Sequence, residues 1–228
     1  MGKTLFIAGT GTDVGKTYVS GLLLKALLDT GIQAAYYKPV LSGALSQGGQ
    51  LIPGDAAQVC QMAELHQAPG DCVSYCFKPA LSPHLAARES GEDIELSKIQ
   101  RDFAIHKKNT DTLVVEGAGG LITPLTDGPA PLLLTDIILT LGCPVLLVSG
   151  SGLGAINHTM LSIHHGQSIG IPMAGVVLNH YDSTNPIHID NARMIETLSG
   201  LPVLARIERD ARTWPDDKNQ LNTLLCTL

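Results

Sequence analysis

Aromatic side chains are scarce: 4% of the 228 residues are Phe, Trp or Tyr, with one Trp and three Phe. A sandwich core resting on large rings is disfavoured. The 44% of apolar residues must instead build a core from Leu, Ile, Val and Ala, which suits parallel α/β sheets. Charge is thin as well, at 16%, and 15 Lys and Arg against 21 Asp and Glu leave a net charge of −6. That balance argues against coating a polyanion, so no nucleic-acid partner is expected. A long hydrophobic run is also missing. The most apolar stretch, 132–148, is broken by Asp136, Gly142 and Pro144 before it reaches the roughly 20 residues of a bilayer span, so no membrane partner is expected either. Cysteine is limited to Cys60, Cys72, Cys76, Cys143 and Cys226, an odd and irregular set, and Met1 to Ala8 does not read as a secretory segment. A disulfide framework is not expected on this pattern, and the expected location is cytoplasmic. The length fits a single domain over 1–228.

Short β-rich apolar runs alternate with helical patterns along the whole chain, as in consecutive βαβ units. Strands are expected at Leu5–Ala8, Ala34–Lys38, Thr112–Glu116, Pro144–Ser149, Ala174–Asn179 and Val203–Ala205. Helices are expected at Lys16–Leu28, Asp55–Glu64, Pro83–Glu89, Leu96–Lys107, Pro131–Leu141, Ala155–Ser168 and Pro186–Leu198. The Gly- and Ser-bearing stretch Ala44–Pro53 reads as an open, mobile loop. The fold class is α/β, with a mostly parallel sheet between helical layers.

The strongest local signal is Gly9-Thr10-Gly11-Thr12-Asp13-Val14-Gly15-Lys16-Thr17, which follows an apolar strand and opens an amphipathic helix. Glycines let backbone N–H groups wrap phosphate oxygens, and the helix end adds partial positive charge. Lys16 can reach the terminal phosphates, and the Thr17 hydroxyl suits Mg²⁺. Thr10 stands where the standard motif has its first glycine.

A magnesium site for phosphoryl transfer usually adds carboxylates. Glu116 ends a strand and opens Gly117-Ala118-Gly119-Gly120 at the carboxyl edge of the sheet. Asp55 follows the Gly-rich loop, where it reads either as a metal ligand or as a helix N-cap. Lys38 ends another strand at the same edge, ahead of Pro39-Val40-Leu41-Ser42-Gly43, and a surface lysine is its plain alternative. Moving phosphate onto an anion sets like charges together at about 4 kcal/mol per unit pair, for a separation of about 4 Å and an effective dielectric of about 20. Lys16, Lys38 and a metal would offset that repulsion. No Asp or His stands out as a base for an alcohol acceptor, so an anionic acceptor is favoured.

These segments together resemble the dethiobiotin synthetase family. The likeness rests on Gly9-Thr10 through Lys16-Thr17, Lys38-Pro39-Val40 with Ser42-Gly43, Asp55-Ala56 and Ser82-Pro83-His84. It continues through Val115-Glu116-Gly117-Ala118-Gly119-Gly120 with Pro124-Leu125, and Leu153-Gly154 with Ile156-Asn157-His158. The resemblance implies a three-layer P-loop NTPase fold and an ATP-dependent ligase acting on 7,8-diaminopelargonate and CO₂ (bicarbonate). A carbamate would form on one amine, ATP would phosphorylate it, and the second amine would close the ring of dethiobiotin.

The resemblance also implies roles residue by residue. Lys38 and Lys16 are catalytic. ATP is bound by Asp13, Val14, Gly15, Lys16, Thr17, Tyr18, Asp55, Glu116, Gly117, Ala118 and Gly119, with Asn179, His180, Pro202, Val203 and Leu204 at the base. Mg²⁺ is held by Thr17, Asp55 and Glu116. The diamine meets Thr12, Lys38, Ser42 and Gly119, and its distal carboxylate meets Leu153, Gly154, Ala155 and Asn157, contributed by the second subunit of a homodimer. Ala205-Arg206-Ile207-Glu208 departs from the family's usual Gly-acid-Ile-Pro.

Two other P-loop classes compete. A cobyrinate-type amide synthetase would add a glutaminase domain. A partition or division-site ATPase carries an extra lysine in its loop, where Thr10 and Gly11 stand here. Cys72-x₃-Cys76 lacks the second pair of a metal finger, and the adjacent His164 and His165 do not share a helix face. His84 is expected to shape the substrate wall, and the last twenty residues, including Trp214-Pro215-Asp216-Asp217, receive no role.

Overall fold

The computed structural model describes residues 2–108, 110–215, 221 and 223–225. In chain order the elements are β1 (Lys3–Gly9), α1 (Lys16–Asp29), β2 (Ala34–Ser42), β3 (Leu45–Gln47), β4 (Gln50–Ile52), α2 (Gly54–Ala63), a 3-10 turn (Pro69–Cys72), β5 (Val73–Phe77), α3 (Pro83–Ser90) and α4 (Leu96–Lys108). There follow β6 (Thr112–Gly120), α5 (Leu134–Leu141), β7 (Val145–Gly150), α6 (Ala155–Ser168), β8 (Met173–Tyr181), α7 (Pro186–Ser199) and β9 (Val203–Glu208). Seven strands form one parallel sheet in the order β5-β2-β6-β1-β7-β8-β9. Strand order reverses around β1, so the carboxyl ends of β1, β2 and β6 border a switch-point crevice. No helix among the described residues is long and apolar enough to cross a membrane.

The sheet is buried on both faces, which explains why its strands read as continuous apolar runs. On one face Leu5, Ile7, Tyr36 and Val114 pack with Val19, Leu22 and Leu23 of α1 and Val59 of α2. On the other, Phe6, Tyr37 and Val115 pack with Ile99 and Phe103 of α4 and Ile137 of α5. Alternation along β2 therefore sends Tyr36 and Lys38 to the α1/α2 face and Tyr37 to the opposite one.

Three expectations change. Ala44–Pro53 is not an open loop: β3 and β4 pair antiparallel, and the turn residues Gly48 and Gly49 both take positive φ, 58° and 81°, as a tight hairpin requires. β5 is an additional strand beside β2, and its mixed Val-Ser-Tyr-Cys-Phe pattern hid it. α5 starts at Leu134, not Pro131, because Leu132 and Leu133 are held out of the helix by Thr126 and Asp136, with Leu133 extended and bridged antiparallel to Pro124. In the tail, Trp214 is buried and joins Leu221 and Leu224 in the α1-side core, so it fills volume there. Cys226, Asp216 and Asp217 lie outside the described residues.

Candidate active site

Lys38 sits where β2 leaves β6: the last β2–β6 pair is Tyr37↔Val115, and from Lys38 onward β2 pairs only with β5. The next residue, Pro39, has no N–H to donate, which suits the loss of a neighbour on one side. Glu116 is opposite Ile7, immediately before the β1–β6 register shifts. Both side chains stand where the strands part, on the face covered by α1 and α2.

There they meet. Lys38 Nζ donates to Asp55 Oδ2 and to Glu116 Oε1, each at 2.6 Å. The Thr17 hydroxyl donates to Glu116 Oε1 at 2.8 Å, and the Tyr36 hydroxyl donates to Oε2 at 2.9 Å. Lys38 is 4% exposed and Glu116 is fully buried, so this is an ion pair inside the protein with every carboxylate oxygen satisfied. Asp55 is not a cap. Pro53 precedes the helix and makes no side-chain cap, which frees the carboxylate for Lys38.

Burial works to lower the Lys38 pKa, but Glu116 and Asp55 outweigh it and the amine is held above its ordinary value. Lys16 goes the other way, lowered to about 8 first by burial and then by the nearby Lys38. Its Nζ rests on the Gly11 carbonyl at 2.9 Å, inside its own loop. Burial and Glu116 push the Tyr36 phenol well above its usual value, so it remains a donor.

The loop is shaped by backbone. Gly15 has φ 92°, and a Cβ there would lie 2.0 Å from Asn179 Nδ2. That amide donates to the Val14 carbonyl at 3.0 Å, which fastens the loop to β8, while Asn179 Oδ1 is buried without a partner. A cleft of about 1230 Å³ opens on these groups. Its walls include Thr12, Asp13, Gly15, Lys16, Thr17, Tyr18, Lys38, Ser42, Asp55, Glu116, Ala118 and Gly119. Ser82 and Pro83 line it too, with His84 itself absent from its wall.

Other expected site residues lie elsewhere. Leu153, Gly154, Ala155 and Asn157 are outside the cleft wall, with Leu153 88% exposed. Pro202 precedes β9, and Val203 and Leu204 open it, with Val203 paired to Val176; none of the three lines the cleft. Asn179 pairs with Ile207, and Tyr181 with Glu208. The segment near the loop is therefore the one after Ile207: the Tyr18 hydroxyl bonds the Ala211 carbonyl, and burial, then the nearby Asp210, raises the Tyr18 pKa. His180, exposed with φ 54°, follows Asn179 directly. Tyr36 was missed altogether, since a tyrosine in an apolar strand looks like core until its hydroxyl partner is known.

A cation would fit here. Among the described residues no group of three or more His, Cys, Asp or Glu could hold a metal by itself. The Thr17 hydroxyl and the Asp55 and Glu116 carboxylates are hard oxygen donors, and one cationic group, the Lys38 ammonium, already touches both carboxylates at once. Such a sparse set suits Mg²⁺, which keeps waters and takes further ligands from phosphate.

Together, the parallel sheet, the glycine-bounded loop and the Lys-Thr helix start define a P-loop ATPase-type α/β protein. Residues 3–215 match a protein family described as an AAA domain. A ParA family ATPase from Chlorobium tepidum is similar in fold, with a TM-score of 0.55 at 14% identity, covering 100% of this chain and 90% of that one. A cell-division ATPase MinD from Pyrococcus furiosus gives 0.52 at 20% identity, with 100% and 98% covered. Sequence is more particular. An ATP-dependent dethiobiotin synthetase BioD from Clostridium botulinum (Eklund 17B) is 43% identical over 203 residues, 89% of each chain. Another, from Clostridium perfringens (ATCC 13124), is 38% identical over 225 residues, 99% of each. The chain belongs to the dethiobiotin synthetase family.

Proposed function

We propose that the protein is an ATP-dependent cyclo-ligase that makes dethiobiotin from 7,8-diaminopelargonate and CO₂ in biotin biosynthesis. CO₂ adds to one amine to give a carbamate, and a carbamate oxygen takes the γ-phosphoryl group of ATP. The second amine then attacks the carbonyl carbon, the ring closes, and phosphate leaves. The observation that carries this reading is the Lys38 ammonium held 2.6 Å from both Asp55 and Glu116, with Glu116 tied to Thr17 of the loop. It sets a fixed positive charge beside the place for the terminal phosphate, where an anionic acceptor needs one.

Lys16 leaves the Gly11 carbonyl to bind the triphosphate. Lys38 orients the carbamate oxygen and stabilises charge as it shifts toward phosphorus. Thr12 and Ser42, both on the cleft wall, hydrogen-bond the diamine or carbamate. The unpaired Asn179 Oδ1 accepts from the adenine amino group, and the segment after Ile207 completes the base site. Thr17, Asp55 and Glu116 hold Mg²⁺, which when bound neutralises charge on the transferring phosphates. The Gly152–Asn157 turn offers helix-end N–H groups to the substrate's distal carboxylate from the partner subunit of a homodimer. The free thiols at Cys60, Cys72, Cys76 and Cys143 suit the reducing cytoplasm.

The test is ADP release measured with ATP and Mg²⁺, with and without the diamine and bicarbonate, and mass detection of the cyclised product. ADP formation that requires both co-substrates is expected. Equal ADP release without the diamine would overturn the reading in favour of a simple ATPase switch.

A further inference from the structure

Glu116 accepts three hydrogen bonds, and its two oxygens are used differently. Oε1 takes Thr17 and Lys38, at 2.8 and 2.6 Å, the groups tied to the nucleotide loop and the acceptor. Oε2 takes the Tyr36 hydroxyl alone, at 2.9 Å. Tyr36 is itself 0% exposed and fixed in β2, in register with Val114 of β6, two residues before Glu116 on the same face. The phenol thus reaches along the sheet surface to close the inner oxygen. The neighbouring Tyr37, equally buried, points to the other face, where its hydroxyl pairs with Ser74 at 2.6 Å and the Ile99 carbonyl at 3.2 Å.

We propose that Tyr36 is a positioning residue for the metal-binding carboxylate, its hydroxyl holding Oε2 of Glu116 so that Oε1 alone is presented to the divalent cation. The proposal rests on the reading of Thr17, Asp55 and Glu116 as the magnesium ligands. A free carboxylate can rotate to offer either oxygen or both, whereas Mg²⁺ requires near-octahedral geometry that a bidentate carboxylate serves poorly. A donor on the inner oxygen removes that freedom. Outer hydrogen-bond partners of metal ligands are commonly worth about 10- to 100-fold in metal affinity or activity.

The experiment is a Mn²⁺ titration, followed by the paramagnetic resonance of the free ion, on the protein saturated with a β,γ-imido ATP analogue. Wild type, Tyr36→Phe and Tyr37→Phe are compared, each with a thermal melt. Tyr36→Phe is expected to weaken Mn²⁺ binding about 10-fold while Tyr37→Phe changes it less than about threefold, although each loses a buried hydroxyl contact. Analogue affinity without metal should be equal in all three. A Tyr36→Phe affinity within about threefold of wild type, or an equal loss in Tyr37→Phe, overturns the proposal and leaves Tyr36 as core filling. Wild type that binds no Mn²⁺ beside the analogue overturns the metal reading and this proposal with it. If Tyr36→Phe does not fold, a crystal structure of wild type with Mn²⁺ and the analogue decides. Metal on Oε1 with Tyr36 still on Oε2 supports the proposal, and a bidentate or Oε2-bound metal overturns it.

Discussion

Two neighbouring turns, β1 to α1 and β7 to α6, share the same kind of helix start and differ in chemistry. Each helix starts after a left-handed glycine, Gly15 at φ 92° and Gly154 at φ 86°, and neither has a side-chain cap or an acid in its first turn. Both therefore offer free N–H groups and a positive helix end. At the first turn Lys16, Lys38, Asp55 and Glu116 converge from four elements. At the second, the backbone is held by neutral groups. The Ser151 hydroxyl donates to the His180 carbonyl at 2.8 Å, and Asn191 Nδ2 donates to the carbonyls of Ser151 and Gly152 at 2.9 and 2.8 Å. A helix end alone attracts anions generally. The side chains brought to it decide whether it serves a polyphosphate with a cation or a single carboxylate.

That contrast is tested most severely at Lys38. Lys38→Ala should lower kcat by about 10² to 10³, the loss typical of a preorganised charge contact, while ATP affinity changes little because Lys16 and the loop remain. The measurement is steady-state ADP formation beside nucleotide binding. If turnover survives, the charged turn is no more specialised than the neutral one.

Gly15→Ala comes next. Its φ of 92° and a Cβ placed 2.0 Å from Asn179 Nδ2 force the loop or the amide to shift. The left-handed strain alone is about 1–2 kcal/mol. Nucleotide affinity should fall about 10-fold or more, as 1.4 kcal/mol already amounts to tenfold, and calorimetry reads it directly. Gly154→Ala carries similar strain but meets only His158, at 3.4 Å, so it should leave ATP affinity alone and raise the KM for the diamine.

The same two turns show what a sequence can display. The first was legible because its chemistry is local: the residues that bend the loop and those that bind phosphate are consecutive. Lys38, Asp55 and Glu116 were legible individually, as charged residues at strand ends and a helix start, but their meeting is a product of strand order. Tyr36 carries no local signal, because its function depends on a hydroxyl partner 80 residues away. β5 was hidden since a short edge strand with Ser and Cys lacks a periodic signature. Nothing in Pro202-Val203-Leu204 says which end of β9 lies beside the loop; the pairing of Asn179 with Ile207 does.

Asn191→Ala probes the scaffold of the neutral turn. It removes two hydrogen bonds to carbonyls of the buried Ser151 and its neighbour Gly152. Leaving such groups unsatisfied costs about 1–3 kcal/mol each at full burial. Thermal stability should drop measurably and the KM for the diamine should rise, with ATP affinity preserved. An equal loss of ATP affinity would mean that the two turns are mechanically coupled through β7, and that the division of labour between them fails.

The finest test is at Leu153, which is 88% exposed in the isolated chain. A leucine this exposed contributes little to its own fold, and surface substitutions of this kind stay within about 0.5 kcal/mol. Leu153→Ala should therefore leave the melting temperature unchanged. If the turn reaches the cleft of a second copy, the same change removes about 1 kcal/mol of contact, seen as a several-fold weaker dimer by sedimentation and a matching rise in the diamine KM. The shortfall in dimer and the rise in KM should both fade as protein concentration increases, because mass action restores the dimer. A KM that rises without any concentration dependence would place the leucine against substrate within one chain. No change in either quantity would make it ordinary surface and remove the neutral turn from the substrate site.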